Sequence, residues 1–110
     1  MFKRGLVGAL LAMVVLMAPV LPASAGGHVV KATQQRKFTP STITVSKGST
    51  VVWKNTSKNL THTVTATSSN WSKNTKLHHG TKTSFRFTKK GTYTYICTIH
   101  AGMSGKVIVK

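Results

Sequence analysis

Short runs of alternating apolar and polar residues, with no stretch of sustained helical periodicity, limit this chain more than any other feature. In TYTYIC, Tyr93, Tyr95 and Cys97 fall on one face of an extended strand, and Phe85 and Phe87 share a face in SFRF. Ile43 and Val45 alternate with Thr42, Thr44 and Ser46; Lys47 and Gly48 mark a turn; Val51 to Trp53 resumes a β-rich pattern. THTVTAT, from Thr61 to Thr67, alternates again, and Lys106 to Lys110 supplies a closing strand. The polar segment from Ser68 to Lys82 reads as a loop or loosely formed strand, and Pro40, which has no N–H, fits the edge or first residue of a strand. Strands joined by short turns predict a single all-β domain, a sandwich or barrel, with no linker and no internal repeat.

The alternation does not begin at the N-terminus. Lys3 and Arg4 precede an apolar run from Gly5 to about Leu21, and Ala23 and Ala25 stand at the small-residue positions of a cleavage site. Residues 1–25 read as a signal peptide, leaving residues 26–110 as the domain. The apolar run is short for a membrane span of about 20 residues and leads straight into the cleavage-like tail, so no retained transmembrane segment is expected. With no cysteine near Ala25 to carry a lipid and no paired arginines, general export is the simplest route, to the periplasm, the cell envelope or the exterior.

Charge removes whole classes of chemistry. The chain has 16 Lys plus Arg and no Asp or Glu; without Lys3 and Arg4 the domain keeps 14 of those cations (16 − 2). Glycosidase carboxylate pairs, aspartic dyads, calcium loops and carboxylate-bridged two-metal centres cannot be built from this inventory. The field should keep copies of the chain apart, which favours a monomer, and attract anionic surfaces with a strength that falls as salt rises.

One cysteine cannot form an internal disulfide, so a small exported domain of this kind needs closed packing, a metal or a partner. Met1, Met13 and Met17 leave with the leader, and Met103 becomes the domain's sole methionine, six residues after its sole cysteine, Cys97. In CTIHAGM a soft thiolate, the imidazole of His100 and a weak thioether recur every three residues at the end of a strand, where a bend can turn all three inward. A fourth donor must come from elsewhere. His62, at the entrance to the THTV strand, is placed to present one, whereas His78 and His79 lie in a polar, lysine-flanked loop and read as solvated. Taken singly, these residues are more often a small buried hydrophobe, a surface imidazole and a gap filler. Their joint spacing beside a strand favours a metal site. Zinc is compatible with part of the set, although methionine is a poor zinc ligand.

HTV around His62, the GTYTYIC approach, CTIHAGM followed by GKVIV, and upstream FTPSTITVSKGSTVVWKN together resemble the small blue copper proteins, the cupredoxins, in their plastocyanin, amicyanin and pseudoazurin branch. The resemblance covers essentially the whole domain. It implies a Greek-key β-sandwich holding one type 1 copper, with His62, Cys97 and His100 as strong ligands and Met103 as the long axial one. It also implies a one-electron carrier between redox partners, with no catalytic residues and no small-molecule substrate. Such a ligand set serves both oxidation states: sulfur favours Cu(I), and imidazole remains acceptable to Cu(II).

The chain departs from the family pattern at three points. Relatives of this branch commonly have proline where Ile99 stands, so an extra N–H is available to the Cys97 sulfur and should raise the potential. Thr63 stands where relatives often have an asparagine that ties the ligand loops together, and its hydroxyl can do part of that work. The family's surfaces are commonly acidic or mixed, whereas this one has no acidic side chain, which points to an acidic redox partner or an anionic envelope surface.

Other readings remain beside this one. A copper-handling protein supplying an exported enzyme would use the same ligands at a more open site. Nucleic-acid binding is disfavoured, because the lysines are dispersed and the tyrosines follow the core pattern. Cleavage after Ala25 would expose Gly26-Gly27-His28, whose amine, amides and imidazole can wrap Cu(II) in a square plane, or which is simply a flexible lead into the first strand. The glycosylation patterns at Asn55, Asn59 and Asn70 are explained by chance in a threonine- and serine-rich chain.

Overall fold

The computed structural model describes residues 27–110; residues 1–26, among them the expected leader, lie outside the described residues. Nine strands follow in order: β1 Val29–Ala32, β2 Phe38–Thr39, β3 Thr42–Val45, β4 Thr50–Asn55, β5 His62–Ala66, β6 Asn74–Leu77, β7 Lys82–Arg86, β8 Gly91–Ile96 and β9 Ser104–Val109. They form two sheets, β2-β1-β4-β7 and β3-β9-β8-β5-β6, and no helix occurs among the described residues. The pairs β1–β4 and β3–β9 are parallel, which requires the chain to cross between sheets instead of closing successive hairpins. β3 and β4, adjacent in sequence across Lys47-Gly48, accordingly belong to different sheets.

Alternation becomes a core because each sheet has one inward face. Trp53, Tyr95, Phe87, Val30, Val51, Val64 and Val107 are almost completely buried between the sheets. Trp53 packs edge-on to Tyr95 with ring centroids 5.4 Å apart, and Tyr95 meets Phe38 in the same way at 4.8 Å. Tyr95 lies across Gly105, its partner on β9, where a side chain would come within 2.8 Å of ring atom Cε2. Lys73 links the sheets on the other side, its Nζ donating to Thr83 Oγ1 at 2.7 Å and to the Ser84 carbonyl at 3.0 Å.

One local reading is sharpened and one is corrected. The segment 68–82 contains a regular strand, β6, fully registered on β5 from His62–Leu77 to Thr65–Asn74. Three of its four residues face outward or are half-covered, and only Leu77 is buried, so the apolar alternation that marks a strand is missing. Pro40 lies in the bend between the edge strands β2 and β3, where the chain passes from one sheet to the other, and not within a strand.

Candidate metal centre

The site lies at one end of the sandwich, where β5 begins and β8 ends. Cys97 follows β8 directly, and the loop to β9 is closed on itself: Cys97 N–H donates to the Met103 carbonyl at 2.9 Å and Met103 N–H to the His100 carbonyl at 3.2 Å. Gly102 occupies the left-handed region at φ +81°, a conformation a residue with a side chain rarely adopts. The loop thus carries its cysteine, histidine and methionine on one tight turn. Cys97 and Met103 are buried at 3% and 2% exposure, while His100 is half-buried.

His62 arrives from the neighbouring strand and is completely buried. Its Nδ1 lies 3.9 Å from Cys97 Sγ, and His100 Nδ1 lies 3.5 Å from the same sulfur; the ligand atoms of the three all fall within 4.8 Å of one another. Nitrogen at about 2.0 Å and sulfur at about 2.3 Å from one first-row ion, with an angle of about 110–130° between them, lie about 3.5–3.9 Å apart. The spacing therefore fits a single ion between the three side chains.

The surroundings set the state of each donor. His62 Nε2 is 2.9 Å from the Thr33 carbonyl, an acceptor only, so this nitrogen carries the proton and Nδ1 presents its lone pair to the cysteine. Burial depresses the His62 pKa below its ordinary value; the Thr33 hydrogen bond opposes this, and the nearby charges of His100 and Arg36 add to the depression. A neutral imidazole is the form that binds a metal.

The backbone donor on Cys97 Sγ comes from Thr63, whose N–H lies 3.3 Å from the sulfur. Among the described residues Ile99 N–H makes no such hydrogen bond, which corrects the expectation placed on it; Ile99 is instead 49% exposed at the tip of the loop. Thr63 does connect the two ligand segments. Its Oγ1 accepts Thr98 N–H at 2.9 Å and lies 3.2 Å from Thr98 Oγ1 and 3.0 Å from Thr65 Oγ1.

Two supports were not legible as functional. The turn from Thr33 to Lys37 offers the Thr33 carbonyl to both His62 and Arg36 N–H, and nothing in TQQRK marks a ligand support. Asn55 is fully buried; its Nδ2 donates to the Leu60 and Leu77 carbonyls at 2.9 Å each, and its Oδ1 accepts Ser57 N–H and Oγ–H. It fixes the irregular segment that delivers His62. The Asn55-Thr56-Ser57 motif is thus an internal turn with its amide fully engaged, not a glycosylation acceptor. His78 and His79 are exposed in the β6–β7 turn, and His28 is half-buried just before β1, its carbonyl accepting Val52 N–H.

Residues 6–109 match a family model described as the cupredoxin-like domain. A solved structure of an amicyanin point mutant in its reduced Cu(I) form at pH 4 is 31% identical, covers 84% of this chain and 88% of that one, and superposes with a TM-score of 0.70. A second amicyanin mutant, also reduced, is 30% identical with the same coverage and a TM-score of 0.71. A purple cupredoxin from Nitrosopumilus maritimus, 21% identical over 76% of this chain and all of that one, shares the fold with a TM-score of 0.68. With a Cys–His–Met turn at one end of a two-sheet sandwich and a family match over nearly its full length, this chain belongs to the cupredoxin-like domain family.

Proposed function

We propose that the protein is an exported mononuclear type 1 copper protein that carries single electrons between redox partners, with His62, Cys97, His100 and Met103 as its ligands. The observation that carries this reading is the convergence of Cys97 Sγ with the two Nδ1 atoms in a buried niche, closed by the turn that ends in Met103. The amicyanin structures at about 30% identity include a Cu(I) form, which favours copper over zinc for the same donor set. Bound copper would supply the one-electron couple.

The chain's own contribution is to keep the donors from moving. Thr33 holds the His62 tautomer, Thr63 N–H stabilises negative charge on Cys97 Sγ, and the Thr63–Thr98 hydrogen bonds tie the two ligand segments together. Donors already placed for the ion need little rearrangement when charge changes. Of the four proposed ligands only His100 is not buried, so its edge, beside exposed Ile99, is where a partner approaches. Burial of the other three favours a retained ion over the exchangeable one a copper-delivery protein would need. No helix among the described residues is long and apolar enough to cross a membrane. Export follows from the leader-like residues 1–25. With no acidic side chain in the sequence, an acidic redox protein or anionic envelope surface is the fitting partner.

The test is an optical spectrum of the purified, folded protein loaded with Cu(II). A strong band near about 600 nm that ascorbate bleaches reversibly is the expected copper–thiolate signature. A folded, copper-loaded sample without it would overturn the assignment.

A further inference from the structure

A groove of about 310 Å³ beside the Cys97–Met103 turn is lined by Arg36, Lys37, Phe38 and Ser41 together with Gly102, Met103 and Ser104. Arg36 is the one non-glycine residue at positive φ among the described residues, at 60°. It ends a tight hairpin loop in which Arg36 N–H donates to the Thr33 carbonyl and Thr33 N–H to the Lys37 carbonyl, at a position where glycine or asparagine is usual. An arginine here carries a backbone cost that glycine would avoid. This position also places an exposed arginine in the lining of the groove, on the turn whose Thr33 carbonyl holds His62. The sequence has no Asp or Glu, so no side-chain carboxylate of the chain can pair with Arg36 or Lys37. The groove is therefore a cationic cleft whose complement must come from another molecule.

We propose that this groove docks a carboxylate-bearing segment of an acidic redox partner, with Arg36 as its principal anchor. The purpose assigned to the contact rests on the electron-carrier reading above. A guanidinium fork matches a carboxylate with two parallel hydrogen bonds, which a lysine ammonium cannot do. The flanking Ser41 and Ser104 hydroxyls are further donors, and the open Gly102 backbone leaves room for a main chain to approach. Docking here would set the partner against the same turn that carries His100.

The experiment uses the copper-loaded, ascorbate-reduced protein, ¹⁵N-labelled, titrated with hexaglutamate and separately with inorganic phosphate. Hexaglutamate should produce saturable amide shifts centred on Arg36, Ser41 and Gly102–Ser104. Arg36→Gly should weaken its binding about three- to tenfold and leave the melting temperature unchanged or raised, because glycine accepts φ 60° freely. Lys89→Gln with Lys90→Gln removes two charges from the turn before β8, at the opposite end of that strand from the ligand turn, and should weaken binding less than the single Arg36 change. Equal weakening by both variants would reduce the effect to net charge and overturn the proposal. So would unchanged binding by Arg36→Gly, or groove shifts produced by phosphate and not by hexaglutamate. Failure of the copper reading would show separately, as absence of the visible band in the Cu(II)-loaded protein before ascorbate is added.

Discussion

Thr63→Val isolates the link between the two ligand segments while preserving side-chain shape. Thr63 is 6% exposed, and its Oγ1 accepts Thr98 N–H at 2.9 Å. Valine removes that acceptor. A typical hydrogen bond contributes about 0.5–1.5 kcal/mol, and because Thr98 is exposed, water can take up part of its freed N–H as well as the lost hydroxyl contacts to Thr65 and Thr98. The expected loss is about 1 kcal/mol, which for a domain of this size lowers the melting temperature by about 4–8 °C. Thermal and urea unfolding of the copper-free protein would measure it. Thr63→Ser, which retains the oxygen, should recover most of the loss. The backbone N–H on Cys97 Sγ survives both changes, so the position of the visible band should hold while copper dissociates faster from the valine variant. A loss below about 0.5 kcal/mol in valine, or serine as damaging as valine, would refute the reasoning.

Three further outcomes are expected. Gly105→Ala drives a methyl group into the Tyr95 ring, which Phe38 and Trp53 prevent from yielding, and should destabilise by about 1–3 kcal/mol in denaturant melts; pairing it with Tyr95→Phe should recover only part, since ring carbons as well as the hydroxyl are in the way. The depressed pKa of His62 means that the unfolded chain takes up a proton more readily than the folded one as pH falls through about 6.5, so the copper-free protein should lose stability from there downward and keep it fully above. With no Asp or Glu to contribute, urea midpoints between pH 7 and 5 should show the decline, and His62→Gln should flatten it. Because Ile99 N–H does not bond to Cys97 Sγ, Ile99→Pro should leave the midpoint potential within about 30 mV of the parent, a factor of about three at ~59 mV per tenfold. A fall of about 60 mV would show that this donor does reach the sulfur.

How much could be read without coordinates depended on whether a residue's role was set by its neighbours in sequence or across the fold. Tyr93, Tyr95 and Cys97 share an inward face because a strand alternates, and period two is visible in six letters. CTIHAGM is legible for a related reason: a tight turn makes its donors neighbours. β6 was legible only as a loop or loosely formed strand, since Asn74–Leu77 pairs through backbone groups and buries only Leu77. The resemblance placed His62, but its support, the Thr33 carbonyl, is a main-chain atom that every residue type offers. The expectation for Ile99 failed because its N–H makes no hydrogen bond to Cys97 Sγ. Having an N–H is a property of residue type, whereas aiming it at sulfur is a property of the turn.

That distinction explains why the site is better specified than its four side chains suggest. His62 is held at both ring nitrogens, by the niche of Cys97 on one side and by a carbonyl of the β1–β2 turn on the other. The chain leading to it is fixed by Asn55, which spends both N–H donors on Leu60 and Leu77 and its oxygen on Ser57. Each support belongs to a different segment, so losing one leaves the others in place and should loosen the imidazole without releasing it. A site assembled this way can be weakened by residues that never touch the ion, and replacing Asn55 should speed copper loss more than it moves the visible band. The band reports the copper–thiolate bond, while the rate reports how firmly the second sheet holds its histidine against it.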